Sequence, residues 1–308
     1  MQPHGIMRPG HVQLRVLDLD EAVHHYRDIV GLEETARDKR GRVYFKAWDE
    51  FDHHSVVLRE AEEAGMDHVA FKVEDDACLD RIERSVKEFG LQVDHVAASE
   101  QLHTGRRVGF VCPTGHRIEF FAEKAQVGNG LPTQNPDVWP DGLRGMAPVR
   151  LDHVLLYGDE IERNLELFTK VLGFRLTEQL LAKDGKTHLA TFLSISNKPH
   201  DIAFIHCPQK ARLHHVSFYL DSWHEIGRAA DIISKKNVSL DMGPTRHGLT
   251  RGATIYFFDP SGNRNEVFSG LYLSYPDRPM ITWTEDEIGK AIFYYERRLN
   301  DRFMSVTT

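Results

Sequence analysis

The alternation of apolar and polar residues along this chain predicts many short strands and few helices, and residues 254–268 show the pattern most clearly. An aromatic and β-branched run there is followed by Asp-Pro-Ser-Gly-Asn, in which Pro presets φ and Gly supplies a positive φ. We therefore predict two short strands joined by a tight turn. Glu266 falls inside the second strand among apolar neighbours, where a carboxylate is costly to bury unless it is paired or binds a metal.

The first half of the chain opens with an alternating strand pattern at residues 10–16. Acidic residues from Asp18 onwards favour the start of a helix, and its apolar stripe ends at Gly31, as expected for a glycine that follows the last helical turn. The remaining pattern predicts strands at 42–48, 55–58 and 67–73, a helix at about 76–89, and two strands around 112–121.

The second half repeats this plan. Residues 151–156 resemble the opening strand, and a spacing of 51 residues separates both His68 from Glu119 and His215 from Glu266. A repeat with a period near 147 residues indicates a duplicated domain. We therefore predict two similar domains of the α+β class.

A linker rich in Gly, Pro and Asn at residues 126–148 separates the two halves. We place the first domain, a degenerate copy, at 1–145 and the second, catalytic domain at 146–308. Beyond the second repeat, a last helix is predicted to begin at Thr284 with a capping box and to run to Leu299.

Candidate chemistry lies at three positions that recur in each half: a His in the first strand, a His in a later strand and a Glu in the last strand. In the second half these residues are His153, His215 and Glu266. Two imidazoles and one carboxylate form the facial triad of non-haem Fe(II) oxygenases, which leaves coordination positions open. Zn hydrolases also use two His and one Glu, so the ligand types alone do not fix the metal.

Two adjacent histidines, His214 and His215, compete for the second ligand position. Side chains alternate along a strand, so His214 is predicted to share the apolar, helix-facing side with Val216 and Phe218. His215 is predicted to lie on the more polar interior side, and its partner in the repeat is His68. We take His215 as the ligand and His214 as a structural or supporting residue.

The first half has residues of the same types at the recurring positions, namely His11, His68 and Glu119. Ligand count alone therefore leaves a second metal site open. The surroundings differ, because Tyr256 aligns with Gly109 and nothing in the first half clearly matches His247. We favour the second half as the active one.

Length and composition limit the number of domains and the kinds of binding partner. A length of 308 residues suggests two domains. A net charge of −8 argues against nucleic acid and anionic membranes as partners. Three widely spaced cysteines form no CxxC and are interpreted as reduced thiols of a cytoplasmic protein. No apolar run approaches transmembrane length.

Three motifs carry a family resemblance: Arg-Pro-Gly-His-Val-Gln-Leu-Arg-Val-Leu at 8–17, Gly-Pro-Thr-Arg-His-Gly-Leu-Thr at 243–250, and residues 256–266. Over nearly its whole length the chain resembles the type I extradiol catechol dioxygenases of the vicinal-oxygen-chelate superfamily. The resemblance implies four βαβββ modules, two per domain, each pair closing around a funnel, and a homotetramer. It also implies cleavage of catechols by O₂ to 2-hydroxymuconate semialdehyde-type products, in the degradation of aromatic compounds.

The resemblance implies roles for individual residues as well. Fe(II), with Mn(II) less favoured, would be held by His153, His215 and Glu266. The implied catalytic residues are an acid–base histidine, a pocket histidine and a tyrosine at the substrate oxygen, which are His200, His247 and Tyr256. The implied substrate-pocket residues are Ile292 and Phe303, and Thr250, three residues past His247, is predicted to line the same pocket. The preferred substituent on the catechol stays open.

Two other functions use the same fold. A glyoxalase-like isomerase would need Zn or Ni with more carboxylates, and would have no use for Tyr256 and His247 together. A non-catalytic ligand-sequestering module would need no metal, and the intact ligand set counts against it. His53 and His54 fall level with His200 in the repeat, and we interpret them as clustered surface histidines.

Overall fold

The computed structural model describes residues 5–308, which form two mixed β-sheets, one from each half of the chain. The strands of the first sheet are β1 (Ile6–Val16), β2 (Glu33–Arg37), β3 (Val43–Lys46), β4 (Val56–Glu60), β5 (Gly65–Val73), β6 (Asp94–Val96), β7 (Arg107–Val111) and β8 (Arg117–Phe121). Those of the second are β9 (Arg150–Gly158), β10 (Arg175–Leu181), β11 (His188–Ser194), β12 (Ile202–His206), β13 (Arg212–Tyr219), β14 (Leu240–Arg246), β15 (Ala253–Phe258), β16 (Arg264–Ser269) and β17 (Ile281–Thr284).

The helices are short and lie between strands or near the carboxyl end. They are α1 (Leu19–His24), α2 (Asp76–Glu88), α3 (Ile161–Glu166), α4 (Trp223–Lys235), α5 (Ile288–Ile292) and α6 (Asp301–Ser305). Two π-helical segments, His25–Val30 and Leu167–Val171, extend α1 and α3. The Asp18 side chain accepts from the backbone N–H of Glu21 at 2.9 Å, and Gly31 ends the first segment at φ +92°, so both predicted ends of this helix are confirmed.

The two sheets share one topology. The first runs in the order β2-β3-β4-β1-β5-β8-β7-β6, and the second runs β10-β11-β12-β9-β13-β16-β15-β14 with β17 added beside β10. In each, the two central strands are antiparallel and each has a parallel outer neighbour. Each sheet therefore consists of two βαβββ modules, which confirms the duplicated α+β fold.

The apolar core is continuous between the two halves. Phe71 of the first sheet meets Phe174 of the second half in an edge-to-face contact, with ring centroids 5.2 Å apart. Polar contacts between the halves are also buried: Tyr26 donates to Asp259 at 3.1 Å. The two halves therefore pack against each other through a shared apolar core and buried polar contacts.

The helix predicted over residues 284–299 is wrong beyond α5. In a continuing helix the Ala291 carbonyl would accept from the turn that follows, but here it accepts from the backbone N–H of Gly248 at 2.9 Å. The Tyr294 N–H likewise donates to the Arg246 carbonyl at 2.7 Å. The chain turns because these backbone groups bind the β14–β15 loop. Within residues 5–308, no helix combines the length and apolar character needed to cross a membrane.

Candidate metal centre

Three adjacent strands bring the predicted ligands together. Ser217 on β13 pairs with His153 on β9 and with Glu266 on β16, so these residues form one row across the sheet, and His215 lies two positions earlier on β13. Glu266 Oε2 lies 3.1 Å from His153 Nε2 and 3.4 Å from His215 Nε2. In the described part of the chain, this is the one group of three ligand-type side chains whose ligand atoms all lie within 4.8 Å.

The carboxylate of this group is only half satisfied. Glu266 Oε1 accepts from the Thr254 hydroxyl at 2.5 Å, whereas Oε2 is buried and accepts no hydrogen bond from any residue between 5 and 308. A buried polar atom normally has a partner. An oxygen lone pair and two imidazole nitrogens that face one another fit a divalent metal ion.

Hydrogen bonds on the far sides of the imidazoles fix which nitrogens face this centre. His153 donates from Nδ1 to Asp152 at 3.0 Å. His214 Nε2 donates to the Phe303 carbonyl at 2.8 Å, because a carbonyl can only accept, so His214 Nδ1 accepts from His215 Nδ1 at 2.7 Å. The neutral form of each ligand histidine therefore presents a bare Nε2 to the centre, as metal binding requires.

The charge states of His215 and Glu266 agree with a ligand role, and His153 would lose a proton when it binds an ion. Burial lowers the pKa of His215 to about 4, so its imidazole is neutral. Burial alone would raise the pKa of Glu266, but the neighbouring imidazoles outweigh it and hold that pKa well below its usual range. Burial lowers the pKa of His153 too, but Asp152 and Glu266 outweigh burial and raise it.

The predicted position of His214 is wrong. A β-bulge between Leu213 and His215 interrupts the alternation of side chains. His214 therefore does not join Val216 on the helix-facing side. Its ring stacks on that of Tyr157 at 4.8 Å, in the same pocket that His215 faces.

The other predicted site residues line one cavity of about 220 Å³ beside the centre, together with the three metal-ligand candidates. They are His200, His247, Thr250, Tyr256, Ile292 and Phe303. The remaining walls are mainly leucine, isoleucine, alanine and phenylalanine side chains. The structure thus brings together every residue that the sequence singled out for this site.

His200 lies over one of the ligand candidates. Its ring centroid is 4.1 Å from that of His153, and neither ring nitrogen has a hydrogen-bond partner among the residues described. Burial, followed by the charge of His153, lowers the pKa of His200 well below its ordinary value. The interpretation of His53 and His54 as surface residues is wrong, because both are buried in the segment before β4, at 4 % and 0 % exposure.

Two supporting carboxylates were missed. Asp152 precedes a ligand candidate in an apolar strand, and a carboxylate in such a run was a usable signal. Glu178 is buried and accepts from the Thr250 backbone N–H, the Trp283 indole and the Tyr272 hydroxyl, each at 2.8 Å. It anchors the loop after His247, and no local sequence pattern marked it.

A duplicated βαβββ fold with a buried centre of two histidines and one carboxylate, opening on an apolar pocket, defines the metal-dependent vicinal-oxygen-chelate enzymes. Residues 66–125 match the model of the catechol 2,3-dioxygenase-like N-terminal domain. Residues 150–267 match that of the glyoxalase/bleomycin resistance protein/dioxygenase superfamily.

Comparison with individual relatives and with a solved structure supports the same family. The chain is 55% identical over 305 residues to a metapyrocatechase of Pseudomonas sp. (strain CF600), covering 99% of each chain. It is 31% identical, over 94% of each chain, to a manganese-dependent 2,3-dihydroxybiphenyl 1,2-dioxygenase of Geobacillus genomosp. 3. The crystal structure of the 2,3-dioxygenase LapB from Pseudomonas sp. KL28 superposes with a TM-score of 0.89 at 50% identity, covering 92% of this chain and 98% of that one. The chain therefore belongs to the extradiol catechol 2,3-dioxygenases, an oxidoreductase family, and the isomerase and sequestration alternatives are not favoured.

Proposed function

We propose that this enzyme cleaves catechol or alkyl-substituted catechols with O₂ beside the two hydroxyl groups, and that its metal is Fe(II). The observation that supports this most directly is the buried Glu266 Oε2, which has no hydrogen-bond donor in residues 5–308 and faces two imidazole nitrogens. His153, His215 and Glu266 would hold the ion, which supplies chelation of two adjacent oxygens and activation of O₂. Mn(II) is the less favoured metal.

The ligand charges fit a catechol that has lost one proton. Two neutral imidazoles, one carboxylate, one divalent cation and one catecholate monoanion sum to a nearly neutral site. A neutral site is far less costly to bury than a charged one. The apolar walls of the cavity therefore support this protonation state of the substrate.

Tyr256 and His247 are proposed to hold the substrate oxygen through hydrogen bonds that strengthen as negative charge develops. His200 is proposed to move a substrate proton, because its two nitrogens are free of protein partners and an imidazole can both accept and donate. Thr250, Ile292 and Phe303 are proposed to enclose the ring.

The pocket favours uncharged substituents. The residues that line it include neither Lys nor Arg, and its acidic group is Glu266. A carboxylate on the catechol would be buried there without a counter-charge, at a cost of several kcal/mol. Hydrogen and alkyl groups have no such cost.

Assembly, domain limits and compartment are also proposed. Exposed apolar side chains in the linker, Val138 at 79% and Trp139 at 64%, support contact between copies in a homotetramer. The limits 1–145 and 146–308 are supported by the sheet division. Three free cysteines support a reducing, cytoplasmic setting.

The test uses protein purified without oxygen, Fe(II), catechol and then air. We expect a yellow ring-cleavage product at one bound iron per chain. Glu266→Ala should lose both the iron and the product. Iron-loaded wild-type protein that consumes no catechol would refute the proposal, and Mn(II) tested in parallel identifies the preferred metal.

A further inference from the structure

The first sheet contains a counterpart of the proposed metal centre. His11 on β1, His68 on β5 and Glu119 on β8 occupy the strands that match β9, β13 and β16. His11 Nε2 lies 3.2 Å from His68 Nε2, and His68 Nε2 lies 3.7 Å from Glu119 Oε2. All three side chains are buried. Unlike the second set, their ligand atoms do not all come within 4.8 Å of one another.

Two arginines hold the carboxylate of this set. Arg107 donates from Nε to Glu119 Oε2, and Arg117 donates from Nε to Glu119 Oε1, both at 2.7 Å. In the second sheet one oxygen of Glu266 has a donor, Thr254, and the other faces the histidines. Thr254 precedes Glu266 by the same number of residues as Arg107 precedes Glu119. The Arg107 guanidinium therefore donates to the carboxylate oxygen that an ion would need.

A glycine makes room for the second arginine. Gly109 lies opposite Glu119, as Tyr256 lies opposite Glu266. A Cβ at Gly109 would come within 2.7 Å of Arg117 Nη2 and 3.2 Å of Glu119 Cγ. A tyrosine there would exclude Arg117 from the carboxylate.

Lys124 contacts His11 on the side away from the counterpart centre. Its Nζ lies 3.0 Å from His11 Nδ1 and 3.1 Å from the His54 carbonyl. This amine takes the place of the carboxylate that, in the second sheet, holds the ring hydrogen of the matching imidazole on Nδ1 and leaves its Nε2 bare. Leu271 holds the position that matches Lys124 by the 147-residue repeat.

The first half also has a counterpart of His200, which is His54. The His54 ring lies 5.1 Å from His11, as the His200 ring lies 4.1 Å from His153. His54 Nε2 and Arg107 Nη1 are buried without a hydrogen-bond partner within residues 5–308. These orphaned atoms show that the arginine does not complete a fully satisfied polar core.

We propose that His11, His68 and Glu119 form a second site for a divalent transition-metal ion, closed because Arg107 donates to the carboxylate oxygen that the ion would need and the Lys124 amine contacts the far nitrogen of His11. Arg107 supplies the positive charge that Glu119 needs, and Lys124 stands where the second sheet has a carboxylate. Removing the Arg107 guanidinium and the Lys124 amine opens the site.

The test measures Co(II) bound per chain after equilibrium dialysis of the full-length protein. We expect one ion for the wild type and two for Arg107→Thr/Lys124→Leu, in which each new residue is the one at the matching position of the second half. Adding Glu119→Gln to the double variant should return the count to one. Adding Glu266→Gln instead should also leave one, now in the first sheet.

Charge is tested by Arg107→Lys, which keeps the cation and should still bind one ion. A folded double variant that binds one Co(II) per chain, or an Arg107→Lys variant that binds two, would overturn the inference. A wild type that binds none would instead contradict the proposed function. If the double variant is insoluble, Arg107→Met/Lys124→Met, which keeps the side-chain length, decides the question by the same count. If neither double variant can be purified with Co(II) present, a metal-compatible site is absent and the inference is wrong.

Discussion

His247 Nε2 lies 2.7 Å from the hydroxyl oxygen of Tyr256. His247 Nδ1 donates to the Ile292 carbonyl, which leaves Nε2 as an acceptor, so the tyrosine hydroxyl is the donor. Because Tyr256 also pairs with Glu266 across β15 and β16, this hydrogen bond connects the carboxyl-terminal segment to the strand of the proposed ligand. To donate to a substrate oxygen, the Tyr256 hydroxyl would turn towards that oxygen the hydrogen that His247 Nε2 accepts here.

Tyr256→Phe is expected to lower kcat for catechol about 100-fold, because one hydrogen-bond donor at the developing charge is lost. Bound iron should be unchanged, since the three ligands remain. Steady-state kinetics with metal analysis of the same sample check both. Unchanged kcat at full iron content would remove Tyr256 from the reaction.

His200→Phe should keep its iron and lose most of its turnover, because a phenyl ring fills the same space but moves no proton. Oxygen consumption with catechol across the pH range measures the effect. His54→Phe is the matched control in the first sheet and should leave turnover near the wild-type value. If His200→Phe retains the full kcat at every pH, the acid–base role is wrong.

Asp152→Asn is expected to weaken iron binding about 10-fold or more, because Asp152 orients His153 and holds its hydrogen on Nδ1. Competition with a chelator, followed spectroscopically, gives the affinity. Asp67→Asn is the control, since Asp67 precedes His68 as Asp152 precedes His153. Equal iron affinity in the two variants would show that this hydrogen bond is unimportant for the metal.

The charge of the substrate provides another test. 4-Methylcatechol should be cleaved with a kcat/KM at least about 100-fold above that of 3,4-dihydroxybenzoate, because the pocket offers no cation to the carboxylate. Parallel assays at one iron loading measure the ratio. A ratio near one would mean that the substituent points to solvent.

Stability should depend on pH through Asp67. Burial alone would raise its pKa, but hydrogen bonds from Arg59 and Gln13 outweigh burial and lower it to about 2. A group with a lowered pKa stabilises the fold above its unfolded value near 4, and this contribution is lost as the pH falls towards 2. Asp67→Asn should therefore cost about 1–2 kcal/mol near pH 7 after allowance for its partial exposure. Thermal unfolding should show a Tm gap that is constant from pH 5 to 9, and a gap that closes within that range would contradict the assignment.

The internal repeat could be predicted from the sequence because it depends on local pattern and spacing. Alternation along the strands and the common spacing from His68 to Glu119 and from His215 to Glu266 were enough to predict a duplicated fold and two matched sets of ligand candidates. The sequence predictions were wrong at two places where the backbone departs from regular secondary structure. The bulge at His214 reversed the side of one residue, and the tertiary bonds of Ala291 ended a helix whose capping signal was clear.

The sequence by itself determined that two equivalent sets of ligand residues exist, because residue types and their spacing are properties of the chain. Only the tertiary structure decided that one set converges and the other is held by cations. That difference depends on which donors reach each carboxylate and each imidazole across neighbouring strands. A guanidinium and a metal ion both satisfy a buried carboxylate, and a distance measured in space distinguishes them where a pattern along the chain does not.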